Sequence, residues 1–246
     1  MNSFNILTLF PDIINAYKSE SIIKKAIESE IIEINAYNIR DFSTDKHKKV
    51  DDYPYSGGGG MIMTPQPVFS AFEHVRANLK GNVVSIYMSP QGRLLNNDIV
   101  REYSKVENII ILCGRYEGVD QRIIDTLIDD EISIGDYVLT GGELPALVFT
   151  DATARFINGV LSTEDAVKNE SHYDKLLEYP QYTRPYEFNG MRVPDILLSG
   201  HEANIKKWKR LMSIRITRKK RPDIDLGGLV TDKEIWESEN VEDLFT

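Results

Sequence analysis

The chain has 246 residues, 41% of them hydrophobic and 27% charged, with one cysteine and a formal net charge of −9. That balance belongs to a globular protein and excludes wholesale disorder, and the length holds one large domain or two small ones. No apolar run approaches the roughly 18 residues of a membrane span. Lys18 is the first basic residue, so the N-terminus does not read as a secretory signal. Cys113 has no partner for an internal disulfide, and no Cys/His pair has zinc-finger spacing. The expectation is a cytoplasmic protein without a membrane anchor.

The first two thirds alternate apolar blocks with helical patterns. Residues 4–10 read as a strand, and Pro11 and Asp12 open a helix carrying Ile13, Ile14, Tyr17, Ile22, Ile23, Ala26 and Ile27. Residues 31–39 make a second strand. Thr64 and Pro65 start a helix, with Thr64 as N-cap and an inner stripe of Val68, Phe69, Phe72 and Val75. Further strands fall at 83–88, 109–113 and 131–134, with helices near 96–105, 120–127 and 143–157. Such alternation predicts an α/β fold with a mostly parallel sheet and right-handed crossovers. Beyond Ile157 the pattern changes: residues 158–171 are polar and acidic and read as a linker. A helix over 201–221 and a short one over 231–237 follow, the latter with Asp232 and Glu234 in its first turn. The organisation predicted is a domain over 1–160, a linker over 161–175 and a small helical domain over 176–246.

Charge is distributed unevenly over this plan. Residues 206–221 contain Lys206, Lys207, Lys209, Arg210, Arg215, Arg218, Lys219, Lys220 and Arg221 and no acid, whereas residues 223–246 hold eight acids and only Lys233. An acidic body with one basic segment suits local binding of a polyanion such as RNA or DNA. A solvated helical face is the plain alternative, but Trp208, Leu211, Met212, Ile214 and Ile216 interleave the charges, so that one face packs while the other stays basic.

Three glycine-containing loops follow predicted strands: Ser89-Pro90-Gln91-Gly92, Gly114-Arg115-Tyr116-Glu117-Gly118, and Gly135-Asp136-Tyr137-Val138-Leu139-Thr140-Gly141-Gly142-Glu143. In open α/β sheets ligands bind beyond the carboxyl ends of the strands, and glycine lets backbone approach a flat ring closely. With Tyr87, Pro90, Ile134 and Leu139 as apolar lining, the loops favour a site for a small planar ligand. Neither a P-loop nor the dinucleotide fingerprint is present. The run Gly57-Gly58-Gly59-Gly60 reads either as a flexible turn or as a loop that wraps a nucleotide.

These loops, together with Tyr87-Met88, Val119-Asp120, Ser133-Ile134, Tyr182-Thr183-Arg184-Pro185, Phe10-Pro11 and the segment from Tyr55 to Met61, closely resemble the bacterial tRNA (guanine-N1)-methyltransferase family, TrmD. The resemblance runs in order along nearly the whole chain. It implies a SPOUT-class fold with a deep trefoil knot, S-adenosylmethionine as methyl donor, tRNA as substrate and a homodimer with active sites at the interface. By the resemblance, Tyr87, Ser89, Pro90, Gly114, Tyr116, Glu117, Ile134, Gly135, Tyr137, Leu139, Gly141 and Gly142 hold the donor. The family's target is the guanosine immediately 3′ of the anticodon, preceded by another guanosine.

Guanine N1 carries a proton at neutral pH, so its methylation requires a base, and a cation near O6 stabilises the charge that develops. The family's base is an aspartate followed by serine in the linker. The matching position here is Glu170, before Ser171, a departure that adds one methylene; Asp165 is the second choice. Arg155 matches the family's essential arginine. His172 is the less suitable base. Glu117 and Asp136 are candidates for the donor's amino group or for a divalent magnesium ion proposed for the family, although no metal-ligand cluster is visible. Residues 206–221 are expected to meet tRNA phosphates, and Arg184 matches a linker residue of the family. Two other readings stay open: a ribose 2′-O-methyltransferase of the same fold, and a non-catalytic RNA-binding module.

Overall fold

Aliphatic residues crowd into five blocks, and all five become strands of one sheet. In the computed structural model, which describes residues 1–55, 57, 59–163, 167–242 and 244–245, the chain divides into two compact units, Met1–Glu164 and Asp165–Thr246. The first opens with β1 (Asn2–Thr8), α1 (Pro11–Lys18), α2 (Ser21–Glu28) and β2 (Ile32–Asn38). A two-residue antiparallel pair, β3 (Asp51–Asp52) and β4 (Ile62–Met63), then leads into α3 (Pro65–Asn78). After it come β5 (Val83–Leu94), α4 (Asn97–Tyr103), β6 (Asn108–Cys113), α5 (Gln121–Leu127), β7 (Asp130–Ser133) and α6 (Glu143–Ala154).

The five long strands lie in the order β2-β1-β6-β5-β7, and every pairing is parallel. Helices cover both faces, which is why these strands read as continuous apolar runs. In β6, Ile109, Ile111 and Cys113 pack with Ile14, Ile23, Tyr103 and Phe149 of the helices on one side. Ile110 and Leu112 pack with Val68, Phe72, Val75 and Ile123 on the other.

Local departures from the expected elements have local causes. The helix predicted through residues 12–27 breaks in two because Ser21 takes a left-handed φ of 56°. Strand β5 does not stop at Met88. Both Met88 and Arg93 pair with Ile132, so residues 89–92 loop out as a bulge inside the strand. Gly92 makes that bulge fit, since a Cβ there would lie 2.3 Å from the backbone carbon of Glu131. Thr64 caps α3 by position, but its side chain makes no capping bond.

The second unit is helical but carries a strand pair as well. β8 (Glu187–Phe188) and β9 (Met191–Arg192) form a hairpin about Asn189 and Gly190, both at positive φ. A 3-10 turn (Asp195–Leu198) precedes α7 (Glu202–Lys220), and α8 (Asp232–Glu239) follows. Trp208 and Leu211 of α7 form a small core with Val241. Thr231 and Glu234 close a reciprocal capping box at the start of α8. The basic residues of α7 are not all without partners, because Lys207, Arg210, Arg215 and Arg218 pair with acids of the segment that follows.

Ile111 is fully buried at the centre of the sheet, whereas Leu198 is 62% exposed. Ile111→Ala should cost about 2–5 kcal/mol in urea denaturation, and Leu198→Ala less than about 0.5 kcal/mol.

Candidate active site

Strands β6, β5 and β7 lie side by side, and the bulge within β5 and the segments leaving β6 and β7 border a single cavity of about 490 Å³. This is within the roughly 300–1,000 Å³ of small-molecule sites. From β5 come Tyr87, Ser89 and Pro90. From the loop after β6 come Gly114, Tyr116 and Glu117. From the segment between β7 and α6 come Ile134, Gly135, Tyr137, Leu139, Gly141 and Gly142. All twelve residues singled out for the donor thus line one space. Gln91, Val138 and Thr140 line it as well.

Backbone contacts fasten these walls together. The Gly142 N–H donates to the Gly114 carbonyl at 2.9 Å. That approach requires glycine at 142, where a Cβ would sit 2.7 Å from Cα of Cys113. The Ser133 hydroxyl donates to the Gly135 carbonyl at 3.1 Å, and the Tyr137 hydroxyl to the Ile134 carbonyl at 3.2 Å, which folds the third loop on itself. On the outer side the Glu117 N–H donates to the Met61 carbonyl at 2.9 Å and the Met63 N–H to the Gly118 carbonyl at 3.0 Å. The chain leaving the glycine run is therefore laid along the loop after β6.

Arg115, which also lines the cavity, belongs to an ion pair that no sequence spacing announces. Glu143, 2% exposed at the first turn of α6, takes Arg115 at 3.1 Å and the Thr8 hydroxyl at 2.7 Å. Arg115 also donates to the Thr140 carbonyl at 3.0 Å and lies over the Phe10 ring at 4.3 Å. One guanidinium thus ties the β6 loop to the segment entering α6. The signal available in the sequence is an arginine within one glycine loop and a glutamate closing the next.

Arg155 is the C-cap of α6, its N–H donating to the Asp151 carbonyl at 3.2 Å. In the second unit, Glu170 sits in a turn in which its N–H donates to the Val167 carbonyl and its carbonyl accepts from Tyr173. His172 has a left-handed φ of 70° and donates its N–H to the Leu176 carbonyl at 2.7 Å. Asp165 lies outside the described residues. Among the described residues, no group of three or more His, Cys, Asp or Glu is placed to hold a metal ion, and no helix is long and apolar enough to cross a membrane.

A match to the family model for tRNA (guanine-1)-methyltransferase TrmD extends over residues 2–226. The chain belongs to this family. Its relatives include the tRNA (guanine-N(1)-)-methyltransferases of Ruminiclostridium cellulolyticum, 56% identical over 90% of this chain and 95% of the relative, and of Clostridioides difficile, 54% identical over 90% and 96%. That of Thermosipho africanus is 51% identical over 90% of this chain and 89% of its own length. Membership of the TrmD family makes the protein a methyltransferase.

Burial, and after it the charges of Glu131 and Cys113, pushes the Tyr87 hydroxyl from 10.0 up to about 12. The folded state therefore holds the neutral phenol. The stability this confers is complete below pH 10, the unfolded value, and is lost as pH rises from 10 to about 12. Tyr87→Phe should flatten the decline of the urea midpoint across that window, compared with the unaltered protein.

Proposed function

We propose that the protein transfers the methyl group of S-adenosylmethionine to N1 of the guanosine immediately 3′ of the anticodon, tRNA position 37, when another guanosine precedes it. The observation that carries this reading is the convergence of the three glycine loops on one cavity in a chain matching the family over residues 2–226. The cavity fits the donor. Gly114, Gly141 and Gly142 present bare backbone, Tyr87, Pro90, Ile134 and Leu139 give apolar walls for a flat base, and the Glu117 carboxylate suits a cationic amino acid end. S-adenosylmethionine supplies an electrophilic methyl on a sulfonium, so no covalent enzyme intermediate is required.

The protein's own part is then to position the guanine, remove its proton and balance the charge. Glu170 accepts the N1 proton, and Arg155 stabilises the negative charge on O6. The extra methylene of Glu170, relative to the family's aspartate, shifts where its turn must stand. Two further features belong to this reading. A chain that runs from β6 to β7 beyond β5 and then returns to Gly114 supports a trefoil-knotted SPOUT fold. The exposed apolar residues Phe10, Ile13, Leu144 and Val148, on and beside the neighbouring helices α1 and α6, support a homodimer. The tRNA lies against α7, with its phosphates setting affinity and the target base unstacked to reach the cavity. The setting is the cytoplasm.

Incubation with labelled donor and unmodified tRNA bearing two guanosines at the anticodon edge should give 1-methylguanosine on nucleoside mass spectrometry. A ribose-methylated product would replace this reading with that of a 2′-O-methyltransferase. Absence of both product and donor binding would leave an RNA-binding module. Glu170→Gln should lower turnover about 10²–10⁴-fold and Arg155→Ala about 10²–10³-fold, each with calorimetric donor affinity retained.

A further inference from the structure

The match to the family ends at residue 226, so α7 lies inside it and the acidic segment that packs on α7 lies outside. The pairs between them are of two kinds. Glu237, whose side chain is 10% exposed, takes Lys207 at 3.0 Å, and Glu234 of the capping box takes Arg210 at 3.2 Å. Arg210 is tied further to the Leu229 carbonyl at 2.7 Å and to Asp174 at 3.5 Å. With Val241 buried against Trp208 and Leu211, these contacts dock α8. The second kind is exposed. Arg215 pairs with Glu242 and Arg218 with Glu239, with side-chain exposures of 39% and 66% in the one and 41% and 57% in the other. Open pairs of this sort add almost nothing to stability. Beside them Lys219 and Lys220 are exposed, with no carboxylate in ion-pair range among the described residues.

Resting on the reading that α7 faces tRNA, we infer that Arg215, Arg218, Lys219 and Lys220 form a seat for RNA phosphates, two of whose cations are held by Glu242 and Glu239 until RNA displaces them. The two carboxylates take the place of two phosphates. An RNA that offers several phosphates in register displaces them, whereas a loosely bound polyanion meets a reduced positive potential. The acidic segment thereby sets a threshold for RNA binding without adding a contact of its own to the RNA.

The test uses the full-length protein, with fluorescence anisotropy of unmodified tRNA and of polyuridylate between 50 and 200 mM salt. Glu239→Gln combined with Glu242→Gln should bind both RNAs more tightly at low salt. Its log affinity against log salt should be steeper by about two, so that about tenfold more affinity is lost across that range. Its thermal midpoint should be unchanged. Arg215→Gln combined with Arg218→Gln should weaken binding and flatten the slope, and adding the glutamine substitutions at 239 and 242 to it should then change affinity and slope far less than they do in the unaltered protein. If the arginine variant is weakened but the glutamate variant binds as the unaltered protein does, the shared seat is overturned while α7 remains the RNA face. If neither pair changes affinity or slope, the placement of tRNA on α7 falls too. Should the double glutamate variant fold poorly, Glu242→Gln alone reads the same effect at half the slope change.

Discussion

A buried carboxylate at the start of α6 organises the site. Glu143 holds Arg115 and Thr8, and in doing so joins the end of β1, the loop after β6 and the segment that enters α6. Removing a charge from water is costly unless its partners stay in place, so this pair rewards one arrangement of the loops and penalises others. Gly142 lets the backbones on either side close to hydrogen-bonding distance above it. The cavity is therefore bounded by backbone whose position is set by this pair and by that close approach.

The same loops show why a parallel sheet serves this purpose. Strands β6, β5 and β7 are neighbours and point the same way, so their exits open on one edge. The bulge at residues 89–92 lets β5 both line the cavity and continue its pairing with β7. The buried Tyr87 hydroxyl adds a polar group without adding charge, and its burial extends the neutral form further into alkaline pH. In the second unit electrostatics has a different part. There α7 and α8 carry opposite charges, some locked in the packing and some open to water, and only the open ones are free to exchange partners.

Much of this is readable from residue order. Ile109 to Cys113 is a strand buried on both faces, and such a strand needs only a continuous apolar run to be seen. The cavity loops are visible because their glycines directly follow such runs. What escapes is set by contacts remote in sequence or by single backbone torsions. Arg115 stands in the loop after β6 and Glu143 in the first turn of α6, and no helical or strand period connects them. The break at Ser21 hides because Ile22, Ile23 and Ala26 keep the helical rhythm across it. Asn189-Gly190 is a strong hairpin signal, but with two residues in each strand there is no alternation to support it. The pairing of α7 with α8 is foreshadowed by their opposite charges, though composition does not distinguish locked pairs from open ones.

The most direct check on the central claim is a calorimetric titration of the Glu143→Gln protein with S-adenosylmethionine. If the buried pair holds the cavity walls, affinity falls by about tenfold or more while cooperative unfolding persists, since the arginine loses the charge that anchors it. Donor affinity equal to that of the unaltered protein would show that the loops keep their arrangement without the pair, and would contradict the account.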